Sequence, residues 1–276
     1  MTSRTTYYVM EVLDESASEF PESYDWDSPF SQRSHRDYVI EHRTMPSFEP
    51  KLEQEISDDP QFNKVNDFIF GPTKRYCISE RVKNILTDFR LPEHRFYSVT
   101  VYQKKRLLGL IKSKAKVDSK YFAFFYDNFF IDDKLDFIDF NKTRVRTEML
   151  NKKRILELEI STATELKDVY SRQAGISDRI NELTDSNGKS KSGFEVEYEE
   201  LLNNCIYKFE TDKIYFNNKF DHSVDLFEIP HFSWMTYISE RLMNRLKEEN
   251  VTGLIFSKPG ERQYLAKRPN PELRWE

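Results

Sequence analysis

"CISERVKNILTDFRLPEHRF" (77–96) and "YISERLMNRLKEENVTGLIF" (237–256) carry the same Ile-Ser-Glu-Arg, 160 positions apart. At that offset Ile78–Phe96 aligns with Ile238–Phe256 over 19 positions without a gap, and seven pairs are identical. Self-similarity at a fixed offset marks a repeated supersecondary unit. Within the first copy, Ser79 is placed to cap a helix, its hydroxyl accepting from an unpaired amide of the first turn. Glu80 suits the positive end of the helix dipole. Val82, Ile85, Leu86 and Phe89 recur at i, i+3, i+4 and i+7, which gives the helix one apolar face. Pro92 ends it, and "RFYSVTVYQ" (95–103) alternates as a strand. Two copies are too few for a solenoid. They imply two related lobes, each with mainly antiparallel strands and a short capped helix followed by a strand.

Outward from the pair, the first lobe is expected over 1–115, with its helix near 80–90, and opens on a β-branched and aromatic strand, "TTYYVMEVL" (5–13). "YVIEH" (38–42) and "VNDFIFG" (65–71) are further strands. The second lobe is expected over 116–276 and is rich in aromatic strands, including "KYFAFFYDNFFI" and "KLDFIDF". "RILELEI" (154–160) alternates as a half-buried strand. A capping box of Thr162 and Glu165 starts an inserted helix near 162–185. A Gly/Ser-rich linker follows at 186–193, and the second Ser-Glu-Arg helix lies near 240–249. "GFEVEYEELLNN" fits a helix and a strand equally, while "CIYKFE" and "KIYFNN" flank Thr211-Asp212 like a hairpin. Strands followed by helices without regular βαβ alternation place the chain in the α+β class.

Composition narrows the function. At 276 residues, 14% aromatic and 32% charged, the chain can bury a core. No stretch approaches the ~18 apolar residues of a membrane span. The N-terminal residues lack a signal-peptide layout, and two cysteines suit a reducing compartment, so a cytoplasmic protein is expected. The net charge of −5 is unevenly spread. Between Thr5 and Gln32 there are seven acids and no Lys or Arg; Lys104, Lys105, Arg106, Lys112, Lys114 and Lys116 lie in a stretch without an acid. Such blocks serve as solvated faces or guide a charged partner.

No constellation for catalysis emerges. Neither serine lies in a nucleophile elbow or has a histidine close in sequence to act as base, so capping is the expected role. Arg81 and Arg241 are candidates to pair with an acid across the lobe interface. The five histidines contain no metal-ligand spacing, and Asp132, Asp133, Asp136 and Asp139 interleave with apolar residues as in a hairpin. No metal, cofactor or enzymatic activity is expected. "KYFAFFYD" (120–127) matches an RNA-stacking strand at Lys120, Phe122, Ala123 and Phe124 but not at Tyr121 or Asp127. With the basic strip 104–116 it forms the alternative, an RNA-binding module. The acidic balance argues against nucleic acid as a partner.

The duplicated segments also carry a family resemblance. "YISERLMNRLKEENVTGLIF" resembles the C-terminal signature of a bacterial family of immunity proteins from polymorphic-toxin systems, the myxobacterial-type immunity family. "CISERVKNILTDFRLPEHRFYSVTVY" and the opening strand "TTYYVMEVL" are similar to its earlier elements, whereas Thr162–Ser192 has no counterpart. The resemblance implies a non-enzymatic protein that binds and neutralises a cognate toxin, a secretion-system effector used in bacterial competition. With no signal-peptide layout in the N-terminal residues, the toxin is expected to act on a cytosolic target. Tyr24, Asp25, Trp26, Asp27 and Phe30, aromatics set among carboxylates, are the candidate contact residues, suited to steering a basic toxin. The basic strip is the counterpart for an acidic one.

Overall fold

A computed structural model describes residues 5–13, 18–19, 52–56, 65–70, 76–107, 111–126, 135–150, 155–185, 188–229, 235–261 and 270–275. It is an α+β fold, as the strand and helix patterns imply. The chain separates into two compact units. The first comprises Met1–Asp133, Asp221–Pro230 and Met235–Arg268, and the second Lys134–Phe220, His231–Trp234 and Pro269–Glu276. This differs from a division at 115/116, because pairing follows hydrogen-bonded edges rather than chain order. Both Ser-Glu-Arg segments fall within the first unit.

The first unit holds two sheets. One is four-stranded, and its core strand is β1 (Tyr7–Val12), whose apolar run is buried at every residue but Tyr8. The other contains β2 (Ser18–Glu19), β3 (Leu52–Ile56), β4 (Phe68–Phe70) and β5 (Tyr76–Ser79), with helix α1 (Glu80–Leu86) following β5 directly. Three more strands complete that sheet: β6 (His94–Leu107), β7 (Ile111–Lys116) and β8 (Tyr121–Tyr126). Its order is β2-β3-β6-β8-β5-β4, with β7 also paired to β6; the β3–β6 pair is parallel.

The second unit contains β9 (Val145–Met149), β10 (Ile155–Leu158), the 21-residue α2 (Ala163–Leu183), α3 (Glu195–Asn204), β11 (Ile206–Glu210) and β12 (Lys213–Phe216). Thr162 Oγ1 accepts from the Glu165 amide at 3.1 Å, as the capping box requires, while Glu165 reaches back to the amide and hydroxyl of Ser161. The ambiguous segment is thus helical. Of the linker segment 186–193, residues 188–193 are described, and there the Lys191 amide donates to Leu183 O at 2.7 Å. The expected hairpin at Thr211-Asp212 does not form. β11 pairs with β9, and β12 pairs in parallel with β16 (Glu272–Trp275), because Phe216 stacks on Trp275 with ring centroids 4.2 Å apart. The described part of "KLDFIDF", residues 135–140, is likewise a turn, joined to β12 by the bridge Ile138–Phe216.

The first unit's remaining elements are β13 (Leu226–Glu228), β14 (Thr236–Ser239), α4 (Glu240–Glu248) and β15 (Leu254–Ser257). The four-stranded sheet runs β13-β14-β1-β15, all antiparallel. It repeats the run β4-β5-β8-β6 of the larger sheet strand for strand. Helices α1 and α4, strands of both copies, and the side chains Met10, Phe68, Ile78, Leu86, Ile238 and Leu246 share one buried core.

Candidate functional site

In each copy the residue just before the outer strand is an aspartate: Asp67 before β4 and Asp225 before β13. Pairing of the outer strand with its neighbour brings that carboxylate to the helix start, and the serine amide donates to the aspartate carbonyl at 2.9 Å in both copies. Ser79 Oγ donates to Asp67 Oδ1 at 2.8 Å, and Ser239 Oγ to Asp225 Oδ1 at 2.5 Å. The same oxygens accept from the amides of Val82 (3.4 Å) and Leu242 (3.2 Å), so both serines are N-caps.

Each arginine of the repeat then closes on the same carboxylate. Arg81 meets Asp67 at 2.6 Å, and Arg241 grips Asp225 in a fork through Nε (2.5 Å) and Nη2. Bidentate charge-assisted pairs of this kind are the strong ones. The arginines therefore pair with an acid of their own copy, not with one in another lobe. Two tyrosines complete the symmetry. Tyr7 pairs with Ser239 across β1 and β14, and Tyr121 with Ser79 across β8 and β5. The Tyr7 hydroxyl donates to Val224 O at 2.9 Å, and that of Tyr121 to Asn66 O at 3.0 Å, in each case the carbonyl preceding the aspartate. Burial raises the pKa of both phenols, and the nearby carboxylates add to it.

Each aspartate also ties its own copy to the other. Asp67 Oδ2 accepts from the amide (3.0 Å) and hydroxyl (3.1 Å) of Thr252, in the turn after α4. Asp225 Oδ2 accepts from the Arg90 amide at 2.8 Å, in the turn after α1, and the Asp225 amide donates to Arg90 O at 2.7 Å. Arg81 reaches Glu249 O at 2.8 Å, while Arg241 lies over the Phe89 ring, 5.6 Å from its centroid. Burial alone would raise the Asp67 pKa. Hydrogen bonds from Arg81, Thr252 and Ser79 outweigh it and hold the carboxyl below its ordinary range.

This arrangement is a reciprocal clamp. Each serine hydroxyl donates to a carboxylate and accepts from a helix amide, the bonding of an N-cap. A second cross-tie was not legible in the sequence: Thr236 Oγ1 donates to buried Glu228 Oε1 at 3.0 Å and meets the hydroxyls of Tyr76 (2.5 Å) and Tyr126 (2.8 Å) from the larger sheet.

The RNA-type strand is β8. Tyr121, Ala123, Phe124 and Tyr126 are buried, and Phe122 and Phe125 pack against the two cores of the first unit. Lys83 Nζ sits 4.0 Å from the Phe122 ring centroid. Asp136 pairs with Lys219 at 3.1 Å, and Asp139 Oδ1 caps the Asn141 amide at 3.1 Å. Among the described residues no three His, Cys, Asp or Glu side chains converge as a metal set. Tyr24, Asp25, Trp26, Asp27 and Phe30, together with Asp127, Asp132 and Asp133, lie outside the described residues. Comparison with protein-family models and with curated proteins returned no match to the chain.

Proposed function

We propose that this chain is a non-enzymatic immunity protein that binds a cognate bacterial toxin and neutralises it. The observation carrying this reading is the state of the Ser-Glu-Arg residues, the same residues that bear the family resemblance. Hydroxyl, guanidinium and carboxylate pair with one another, and each carboxylate also bonds the turn of the other copy, so the residues of the motif serve to hold the scaffold together. A rigid scaffold suits a protein whose work is to present a preformed surface, since little ordering entropy is then lost on binding. A neutralising interface buries about 1,600 Å² in total, with a few aromatic or arginine anchors dominating its energy. Tyr24, Trp26 and Phe30 among the acids of 14–27 are the anchors we favour.

The cytoplasm is the compartment we assign, with a toxin acting on a cytosolic target; among the described residues no helix is long and apolar enough to cross a membrane. RNA stacking on β8 has less support, because its rings are packed into the cores. The test is to purify the tagged chain from its native cells, then express any stoichiometric partner in a second host with and without it. Growth arrest by the partner alone, relieved by the chain, is the expected result. A partner that is harmless by itself, or toxicity that the chain fails to relieve, would refute the reading.

A further inference from the structure

Among the described helices only α3 (Glu195–Asn204) buries none of its residues, and Phe194 at its N-cap makes no side-chain capping bond. A helix this short takes most of its stability from the face it packs. Glu197, whose Oε1 accepts from Arg179 Nε at 2.8 Å, marks the side toward α2. Leu201 shares that side four residues on, and both are half-buried. The outer face is Val196 with Glu199 and Glu200, at i, i+3 and i+4. Val196 is 84% exposed and Phe194 41%. Glu195 accepts from the Gly193 amide at 3.0 Å, whereas Glu199 and Glu200 meet no cation among the described residues.

Helix stability alone does not account for this face. Four acids and no Lys or Arg stand in the ten residues of α3. Glu195 and Glu199 are like charges at i, i+4, and Glu197 and Glu200 at i, i+3, spacings that weaken a helix. Valine is stiff at its branched carbon and ranks below alanine as a helix former, and its methyls gain nothing in water. A partner that buries Val196 and brings cations to Glu199 and Glu200 offsets these costs together. Nucleic acid and anionic lipid would be repelled by the same carboxylates. We propose that the outer face of α3 docks a basic protein, with Val196 and Phe194 entering an apolar cleft rimmed by Lys or Arg. The proposal rests on the toxin-neutralising reading, which supplies the partner, and it adds to the acids of 14–27 a second acidic contact.

The stoichiometric partner that co-purifies with the full chain is the probe, immobilised for surface plasmon resonance at about 150 mM NaCl. V196A should weaken its binding about tenfold, through two methyls no longer buried. V196D should weaken it at least ~30-fold, because a charge enters the cleft. E199K/E200K should do the same, mainly by slower association, as like charges meet. D88K/E248K makes an equal charge change on exposed residues of the first unit and should alter binding less than about threefold. Far-UV circular dichroism checks the fold of each variant, and V196A, which favours the helix, serves if the others do not fold. Unchanged affinity in V196A, V196D and E199K/E200K for a partner that is toxic alone overturns this proposal and leaves neutralisation standing. Loss in these variants with a partner that is harmless alone refutes neutralisation and leaves α3 as the docking face. Equal loss in D88K/E248K overturns the proposal by reducing it to overall charge, and the absence of any stoichiometric partner overturns both.

Discussion

Asp225 and Asp67 have the same partners by type, but their surroundings set different energies. The Asp225 side chain is 1% exposed and that of Asp67 15%. Removing Asp225 leaves the exposed Arg241 solvated but orphans the buried Ser239 hydroxyl and the Arg90 amide, at about 1–3 kcal/mol for each such buried polar group. Asp225→Ala should therefore lower unfolding free energy by about 3 kcal/mol and Asp67→Ala by about 1–2 kcal/mol, read as a shift of the urea midpoint at constant slope. A larger loss at Asp67 would show that the clamp is not graded by burial. Acid makes a separate prediction. The depressed Asp67 pKa means that the unfolded chain binds this proton more readily, so the stabilisation is complete above the unfolded value and disappears as pH falls through the folded one. As pH is lowered below the ordinary carboxylate value of about 4, the urea midpoint should fall, and less steeply in Asp67→Asn than in the parent. Parallel profiles would remove Asp67 from the acid response.

At the scale of elements, the turn after α4 decides how the second copy docks on the first. Gly253 has φ +90°, and a Cβ there would stand 2.2 Å from Phe68 O. Its carbonyl accepts from the Leu13 amide at 2.8 Å, which holds the end of β1 against the same turn. Gly253→Ala should cost about 3 kcal/mol or more, combining left-handed strain with displacement of β4. Gly175, inside α2 with open space where a Cβ would be, should behave oppositely. Gly175→Ala should stabilise by about 0.5–1 kcal/mol through helix propensity. Thermal unfolding of the two variants checks both signs, and a neutral Gly253→Ala would contradict the close approach. The sequence identified the capped helices because caps and apolar stripes are local: Ser79, Ser239 and Thr162 each act within three residues. It misread the hairpin at Thr211-Asp212 because both strands satisfy their edges with partners far away in the chain.

For the whole molecule, the shared core has a cooperative consequence. Leu86 and Leu246 are equivalent in the two copies and both are buried in one cluster. Leu246→Ala should cost about 2–5 kcal/mol and should speed amide exchange in α1 as much as in α4, because opening either copy exposes the same core. Hydrogen exchange with mass spectrometry resolves the two helices. Faster exchange confined to α4 would make the copies independent units.

Taken alone, the sequence determined what short-range physics determines. Fold class, the helix starts, the duplicated segment and the uneven charge all follow from spacing, capping chemistry and composition. The sites at Tyr24–Phe30 rested on composition and resemblance and fall outside the described residues. Tertiary structure alone decided that the two copies belong to one unit, that Asp67 and Asp225 complete the Ser-Arg pairs, and that Tyr7 and Tyr121 are equivalent. The reason is chain order. The aspartates sit 12 and 14 residues before their serines, so a constant offset misses them. β1 precedes its copy's helix whereas β8 follows its own, and only strand pairing brings equivalent residues to equivalent places.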